Sequence, residues 1–600
     1  MMTKEELKER YLSSGLFYNH LKNKEEKLLL IVSVLRLLIF IGGVLVIWIG
    51  FTVSIFSGFL LTFILLILFL YLLKLFSIHS ERSDYFSNLA LINQSEADAL
   101  SGNFSAFNTG SSYTDIKHDF SFDVDLFGAS SLFQYINRTV TGYGRDILAR
   151  WLSDPFSLSA KLESRQDAVK ELSSKDKWRH EFMASGMKAP LEMAAIEGVL
   201  EWIRENGQKD SSSFKKLLIL LMPAAAIVSL LLWIAGIFSY SLFVLIFLCN
   251  LIYVATGLKR TNEIHKALSR KYNFLSSMNG MLKAFENESF VSSILNEIKL
   301  NLTGKEASAS GSVRKLGRLI QAFDSRNNIM VAFVLNGLFL WDYQSINRLE
   351  KWKSEYTDLF PLWLDMIGQA DAYISLGNYA FNNSAFIYPV KSADEDVFSA
   401  KDLGHQLIDE SKRVCNNFSL GKKGTVCIIS GANMAGKSTF LRTIAVNYIL
   451  GMTGAPVCAS EMNFTPAKIF TSMRTVDSLS DNESYFYAEL RRLSILKTRI
   501  ERGEPLFFIL DEILKGTNSE DKSTGSKLFL QRIIENGGTG LIATHDTSLA
   551  KLELSHPEVI NKCFEIEING ENIKFDYKIQ DGITQKMNAV FLMRQMGILD

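Results

Sequence analysis

Two long apolar stretches constrain the fold more than any other feature of this chain. Residues 28–73 contain a single charged side chain, Arg36, and residues 217–258 contain none. Each stretch is about twice the length of roughly 20 residues that crosses a bilayer as a helix. Each also contains a central turn segment, Gly50–Gly58 and Gly236–Ser241. The pattern predicts four transmembrane helices, arranged as two hairpins.

Basic side chains lie at the open ends of both predicted hairpins, and the two turns carry no Lys or Arg. The flanking basic residues are Lys22, Lys24, Lys27, Lys74, Arg82, Lys215, Lys216, Lys259 and Arg260. By the positive-inside rule, both hairpins open to the cytoplasm. A cleaved signal peptide is excluded because the first apolar stretch is too long. We therefore expect a multi-pass protein of a bacterial-type inner (cytoplasmic) membrane, with its N-terminus and bulk in the cytoplasm and the lipid bilayer as a partner.

The overall composition argues against several other kinds of protein and site. The chain has 600 residues, more than one ordinary domain, with 64 basic and 64 acidic side chains. This balance gives no global positive field of the kind that marks nucleic-acid binding. The five cysteines show no paired spacing, so a zinc site or a disulfide framework is not predicted and a reducing compartment fits.

A glycine-rich segment in the C-terminal third fills the template G-x-x-x-x-G-K-S/T. Its residues are Gly431, Ala432, Asn433, Met434, Ala435, Gly436, Lys437, Ser438 and Thr439. An apolar β-branched run precedes it at 424–430, and a helical pattern follows at 440–450. In this context the backbone N–H groups and the positive end of the helix bind phosphate. Lys437 is predicted to reach the terminal phosphates and Ser438 to hold Mg²⁺.

Two further strands supply acidic and imidazole side chains. The run 506–510 is apolar and ends in Asp511 and Glu512, which we assign to the Mg²⁺ shell and to activation of the attacking water. The alternative is a core strand followed by two solvated acids. The strand at 540–544 ends at His545, a candidate sensor of the γ-phosphate, although an isolated histidine is more often structural.

The order of these motifs resembles the MutS family of mismatch-repair ATPases, part of the wider ABC-type group. The residues that carry the likeness are 431–439, Asp511–Ile513, Gly516–Asn518, Asp521, Ala543–His545, Asp477–Leu479, Ser484–Phe486, Glu489 and Gln580–Gly582. The resemblance implies ATP and Mg²⁺ as cofactors and a homodimer of ATPase domains, in which Ser484 completes the partner's nucleotide site. It implies catalytic roles for Lys437, Glu512 and His545. Val414, within the segment 414–417 before the loop, is the candidate for framing the adenine.

The chain also departs from the family pattern. Leu514 and Lys515 stand where the family usually has Gly and Arg, and Tyr485 stands where it usually has Thr. The segment Gly15–Asn19 is similar to the family's mismatch-reading stretch, but Asn19 replaces the glutamate and a membrane segment begins within ten residues. A mismatch-reading domain and a DNA clamp are therefore not expected.

The predicted architecture is an α/β P-loop ATPase domain of ABC/MutS type, an all-α domain like the MutS core, and four transmembrane helices in two hairpins. The boundaries are 1–27 for a juxtamembrane helix, 28–74 for hairpin 1, 75–216 for the first part of the helical domain, 217–258 for hairpin 2, 259–402 for the remaining helical core, and 403–600 for the ATPase domain.

The helical region carries three finer predictions. Residues 93–121, rich in Ser, Asn and Asp, are expected to form a loop or short strands, and 301–312 to break the helices. The apolar segment 329–341, about 13 residues long, is too short to span and predicts a buried helix. Trp341, Trp352 and Trp363 recur every eleven residues and are expected to face the core if their helix is continuous.

Three functions remain open from the sequence. The first is a membrane-anchored ATPase that couples dimer closure to its helical core and membrane helices. The second is a membrane-tethered protein that binds mismatched DNA, against which stand the neutral charge and the missing reader motif. The third is an ABC-type transporter, for which the hairpins offer little polar lining beyond Arg36 and Asn250.

Overall fold

The chain folds into a long helical hairpin, a helical domain and a C-terminal domain built on a parallel sheet. The computed structural model describes residues 2–188, 193–205, 213–269, 271–304, 308–392, 396–474, 485–569 and 572–584. The predicted residues Asp477–Leu479 and Ser484 lie outside these ranges.

The N-terminal two-thirds of the chain is helical. Its helices are α1 (Lys4–Val53), α2 (Ile55–Leu100), α3 (Leu132–Ile136), α4 (Gly142–Ser153), α5 (Leu162–Ser173), α6 (Asp176–Gly186), α7 (Met193–Arg204), α8 (Ser213–Ile234), α9 (Tyr240–Thr256), α10 (Leu258–Leu268), α11 (Tyr272–Asn287), α12 (Ser293–Thr303), α13 (Ala309–Phe323), α14 (Ile329–Phe339), α15 (Trp341–Tyr356) and α16 (Leu359–Asn382). Short 3-10 turns occur at Ser111–Tyr113, Pro155–Lys161 and Asp324–Asn327. The break expected at 301–312 falls between α12 and α13.

The C-terminal domain alternates strands and helices. Its elements are β1 (Val390–Lys391), β2 (Asp396–Leu403), β3 (Asn416–Lys422), β4 (Val426–Gly431), α17 (Lys437–Thr453), β5 (Glu461–Phe464), β6 (Lys468–Ser472), α18 (Tyr485–Glu501), β7 (Leu506–Asp511), α19 (Ser519–Glu535), β8 (Thr539–Thr544), β9 (Val559–Asn569) and β10 (Asn572–Asp581). A 3-10 turn lies at Leu549–Leu554. β2 precedes the predicted boundary at 403, yet it pairs with β3 and β5 and so belongs to this domain.

The main sheet has the order β10-β9-β4-β8-β7-β6, and only β10 runs antiparallel to its neighbour. Every residue of β4, β7 and β8 is buried, because both faces of the sheet are covered. Alternate residues of β4 face opposite sides: Cys427 and Ile429 join the core shared with the helical domain, whereas Val426 and Ile428 join a second core with α18 and α19.

Helices α1 and α2 form one hairpin that continues beyond the apolar stretch at both ends. Thr3 and Glu6 form a capping box at the start of α1, which then runs for 50 residues, about 75 Å. The turn lies at Ser54, inside the predicted turn segment, and the Ser54 hydroxyl caps α2. The predicted helix of 1–27 is therefore the first half of α1. Arg36 lies over the rings of Phe69 and Phe76 in α2.

Within the described residues, three helices are long and apolar enough to cross a membrane, by length and composition: α1, α2 and the part of α8 from Leu217. The number rises to five if the bent pairs α9–α10 and α14–α15 each count as one span. The turn predicted at Gly236–Ser241 lies between α8 and α9.

Three finer predictions need correction. The segment 329–341 is not a buried helix, because most apolar side chains of α14 are exposed. The tryptophans do not share one continuous helix, since the chain bends by 81° between α14 and α15 and breaks again before α16. Trp352 and Trp363 are nevertheless buried in the core. Residues 93–100 are not a loop but the last turns of α2, and among the described residues 101–121 contain no strand.

A buried carboxylate explains why α2 continues into the helical domain. Glu96 is 1% exposed and accepts hydrogen bonds from Arg138, Asn378 and Asn382. The Arg138 Nε lies 2.5 Å from Glu96 Oε1. A buried charge persists only when it is paired and fully hydrogen-bonded, as it is here. This network fastens the hairpin to α16, the central helix of the helical domain.

We expect Glu96→Ala to lower the free energy of unfolding by about 3–5 kcal/mol, because it leaves the Arg138 guanidinium buried without its partner. Denaturant unfolding of the detergent-solubilised protein measures the change. Glu26→Ala is the control, since Glu26 is exposed and pairs only with Lys22, at 3.6 Å. Equal stability of the two variants would refute the anchoring role of Glu96.

Candidate functional site

The candidate site lies at one edge of the main sheet. β4 ends at Gly431, β7 at Asp511 and β8 at Thr544, and these three strands are parallel neighbours. Because the carboxyl ends of parallel strands meet at the same edge, the topology brings the glycine-rich loop, the acidic pair and His545 together. These are residues that the sequence analysis selected separately.

The loop between β4 and α17 is shaped by two left-handed residues. Met434 has φ 68° and Gly436 has φ 105°, a conformation that favours glycine. The loop leads directly into α17, whose first residue is Lys437. The Lys437 ammonium donates to the backbone carbonyls of Gly431 at 2.7 Å and Ala432 at 2.9 Å. The start of α17 and this lysine form a positive concavity that can receive phosphate oxygens.

The Lys437 side chain is buried, and burial lowers the pKa of its ammonium group. The carboxylates of Glu512 and Asp511 act in the opposite direction and favour the charged form. Placing a buried cation beside two acids at a glycine-rich loop is costly for stability alone. It is the arrangement expected of an anion-binding site.

Ser438 and Asp511 form the second element of the site. The Ser438 hydroxyl donates to Asp511 Oδ2 at 2.5 Å. The other carboxylate oxygen, Asp511 Oδ1, is buried and has no hydrogen-bond partner among the residues that the structure describes. Burial raises the pKa of this carboxyl, partly offset by the bond from Ser438. A hydroxyl and a buried carboxylate with one free oxygen are hard oxygen ligands, so the pair fits Mg²⁺.

Glu512 lies next to this pair and contacts His545. The His545 Nδ1 lies 2.8 Å from Glu512 Oε1, and the Lys515 Nζ lies 3.9 Å from Glu512 Oε2. The interaction with His545 is the largest influence on Glu512 and lowers the pKa of its carboxyl. Glu512 is therefore kept ionised and half-buried, as a group that accepts a proton must be.

The backbone after Glu512 is held in a strained shape by Glu489. Glu512 and Leu514 have φ of 53° and 60°, values that non-glycine residues rarely adopt. The Glu489 carboxylate from α18 accepts the backbone N–H groups of Leu514 at 2.6 Å and Lys515 at 3.1 Å. These bonds fix the turn that follows β7. Leu514 thus adopts a left-handed backbone conformation at a position where the family pattern described above usually has glycine.

A residue that the sequence analysis did not select, Tyr577, lies beside the loop. A Cβ placed on Gly436 would lie 3.1 Å from the Tyr577 ring. Tyr577 sits in an irregular part of β10 with φ 56°, and its carbonyl accepts from Asn416. Lys578 also donates to the carbonyl of Cys415 at 2.6 Å. The predicted adenine-framing segment therefore contacts β10 at Tyr577 and Lys578, and the Tyr577 ring lies beside the loop. Val414 in this segment is half-buried.

The predicted trans contact Ser484 falls outside the described residues, but the segments on either side of it are anchored. Asp123, in the connection after α2, accepts hydrogen bonds from Thr471 Oγ1 at 2.5 Å and from the backbone N–H groups of Met473 and Arg474. Asp119 pairs with Arg499 of α18 at 2.6 Å. An acidic segment of the helical domain thus contacts β6 and α18, the elements that precede and follow residue 484 in the sequence.

The fold and site define a two-part protein, in which a helical domain carries a parallel-sheet domain with a glycine-rich loop and an acidic pair at its edge. Comparison with known proteins agrees with both parts: residues 118–376 match MutS domain III, and residues 427–598 match MutS domain V. The chain belongs to the MutS family.

Individual relatives match the chain over a limited region. DNA mismatch repair protein MutS of Thermotoga sp. (strain RQ2) is 27% identical over 229 residues, 38% of this chain and 28% of that protein. The protein of the same name from Persephonella marina is 29% identical over 43% of this chain and 30% of its own length. MutS protein homolog 4 of Homo sapiens is 27% identical over 37% and 24%. The chain thus matches less than a third of the length of these relatives.

We expect Asp123→Ala to speed hydrogen exchange at the Met473 and Arg474 amides about ten- to a hundredfold. The charged acceptor that protects these amides is worth about 1.5–3 kcal/mol. Exchange measured by mass spectrometry or NMR on the intact chain tests this effect. Asp115→Ala is the control, because the exposed Asp115 carboxylate accepts the Lys117 N–H within a turn and makes no hydrogen bond to Met473 or Arg474. Unchanged protection at Met473 and Arg474 would exclude the anchoring contact.

Proposed function

We propose that the chain is a membrane-anchored ATPase of the MutS family. The observation that carries the proposal is the meeting of Lys437 and Ser438 at the start of α17 with Asp511, Glu512 and His545 at the ends of neighbouring strands. This set provides an anion cradle, a divalent-metal ligand pair and a base at one sheet edge. Those are the parts that phosphoryl transfer to water requires.

Each residue has one task in this proposal. The Lys437 ammonium exchanges its contacts with the loop carbonyls for the β- and γ-phosphate oxygens. Ser438 and Asp511 would hold Mg²⁺, which when bound would supply positive charge to neutralise the phosphates. Glu512 accepts a proton from the attacking water, and His545 holds the Glu512 carboxylate in place and ionised. Tyr577 and Val414 border the adenine end of the site.

We further propose that two copies form a homodimer through the ATPase domains, with Ser484 reaching the partner's nucleotide. The contacts of Asp123 with β6 and of Asp119 with α18 support a link between the site and the helical domain. The Glu96 network supports a link from the helical domain to the α1–α2 hairpin. Nucleotide-driven closure would therefore be transmitted to helices in the bilayer, with the ATPase domain on the cytoplasmic side.

A second candidate function is binding of DNA while tethered to the membrane, because several similar proteins are named DNA mismatch repair proteins. The balanced charge of the chain argues against it. Purified protein titrated with matched and mismatched duplexes at several salt concentrations separates the two candidates. Phosphate contacts give binding that weakens steeply as salt rises. Failure to bind either duplex at low ionic strength would remove this candidate.

We expect Lys437→Ala to weaken ATP binding about ten- to a hundredfold, because charge-assisted bonds to the phosphates are lost. Glu512→Gln should instead retain ATP binding, slow hydrolysis about a hundredfold or more and accumulate the closed dimer. Nucleotide binding, turnover and molecular mass in ATP measure these effects. Lys423→Ala and Glu520→Gln are the matched controls, since both side chains are exposed away from the site. Normal turnover in Lys437→Ala and Glu512→Gln would reject the assigned roles.

The contact between His545 and Glu512 predicts a change in pH dependence. Since the contact holds the pKa of Glu512 below its ordinary value, its loss in His545→Gln should raise that pKa. The acidic limb of the pH–rate profile should then move to higher pH, in addition to any fall in maximum rate. His20→Gln, on the exposed face of α1, is the control. An acidic limb that does not move would mean that Glu512 is not the titrating base.

A further inference from the structure

Helix α14 presents an apolar surface that the described part of the chain leaves exposed. Residues 327–341 contain no charged side chain. Ile329 is 84% exposed, Met330 82% and Phe333 53%. Burying such side chains is worth about 1.5–3 kcal/mol each, so a continuous apolar face left in water is unfavourable and indicates a contact surface.

The contacts of α14 show that it packs against α9 of the second apolar hairpin. Phe333 packs on Phe247 of α9, with ring centroids 5.2 Å apart. Further along α14, Asn250 of α9 donates to the Gly337 carbonyl at 2.7 Å, and any side chain at position 337 would collide with the Phe247 ring. Beyond the end of α14, Tyr343 stacks on Tyr253 at 5.0 Å. The two helices therefore run side by side in the same direction.

The apolar surface of α14 is continuous with that of the hairpin. α9 exposes Leu245, Leu248 and Ile252, and the helix carries no charged residue. Asn250 is fully buried and its side-chain donor is used by Gly337. α14 therefore provides a hydrogen-bond acceptor for the Asn250 amide N–H of α9, which would otherwise face hydrocarbon.

Polar contacts gather where α14 ends. Asn336 accepts the backbone N–H of Asp342 at 2.9 Å, and Asp342 pairs with Arg326 at 3.2 Å. His265 of α10 contacts Asp324 at 2.9 Å. Leu340, with φ 49°, makes the 81° bend into α15. The chain on both sides of α14 is thus tied to the same polar region beside α10.

We propose that α14 is a re-entrant helix, inserted beside α9 into the cytoplasmic half of the bilayer and in contact with lipid chains. Its 11 residues extend about 16 Å, roughly half of a hydrocarbon layer about 30 Å thick. The polar contacts of Asp324, Arg326 and Asp342 keep the chain before and after α14 on one side of the bilayer. This inference rests on the proposed membrane insertion of the α8–α9 hairpin and adds a fifth embedded helix to each chain.

Photocrosslinking in native membranes tests this inference. The photoreactive residue p-benzoylphenylalanine replaces Met330 or Phe333 in α14, and, in separate proteins, Ile252 in α9 or Leu300 in α12. Ile252 reports insertion of the hairpin itself. Leu300 is the control, because it is a similarly exposed apolar side chain on a helix of the helical domain, 72% exposed. Adducts are identified by the mass of the purified full-length protein after irradiation.

We expect lipid adducts at Met330, Phe333 and Ile252, with at least a tenfold lower yield at Leu300. Lipid adducts at Ile252 alone would overturn the re-entrant helix and leave the membrane anchor intact. Crosslinks from α14 to a second copy of the chain or to another protein would also overturn it. Absence of lipid adducts at Ile252 as well would refute the membrane insertion on which the inference depends. Two positions in α14 are tested separately, so the experiment can still be interpreted if one of the two substitutions disturbs folding.

Discussion

The buried carboxylate of Glu96 is the interaction on which the architecture depends. It joins α2, one arm of the long hairpin, to α16, the central helix of the helical domain. An unpaired charge buried at this position would strongly destabilise the fold. The hydrogen bonds between the Glu96 carboxylate and its donors therefore form only when α2 and α16 dock correctly. The hairpin is therefore an integral part of the helical domain and cannot move independently of it.

A second set of carboxylates continues this connection toward the site. Asp119 and Asp123 follow α2 in the sequence and contact β6 and α18. The helix α18 carries Glu489, which in turn shapes the backbone after Glu512. These contacts, together with the chain segments between them, connect the apolar hairpin to the acidic pair. This gives a physical route by which events at the sheet edge and in the hairpin can influence each other.

The sequence predicted the elements whose signals are local. The strand, loop and helix around Lys437, the strand that ends at Asp511, and the turns near Ser54 and 236–241 follow from hydropathy and from glycine positions. The exposure of α14 could not be predicted in this way, because an apolar segment of 13 residues suits either a protein core or lipid. Tyr577 was missed because its contact with Gly436 depends on how β10 bends. Residues 93–100 have a loop-like composition, but their helix is stabilised by the contacts of Glu96 with distant partners.

The central claim is that the nucleotide site and the membrane hairpins move together. Double electron–electron resonance tests it directly. The method measures distances between nitroxide spin labels in the two copies of a Glu512→Gln dimer in lipid. One label pair at Leu528 reports the ATPase domains, and one at Phe56 reports the tips of the α1–α2 hairpins; both side chains are exposed. The account predicts that ATP changes both distances. Closure at Leu528 with no change at Phe56 would contradict it.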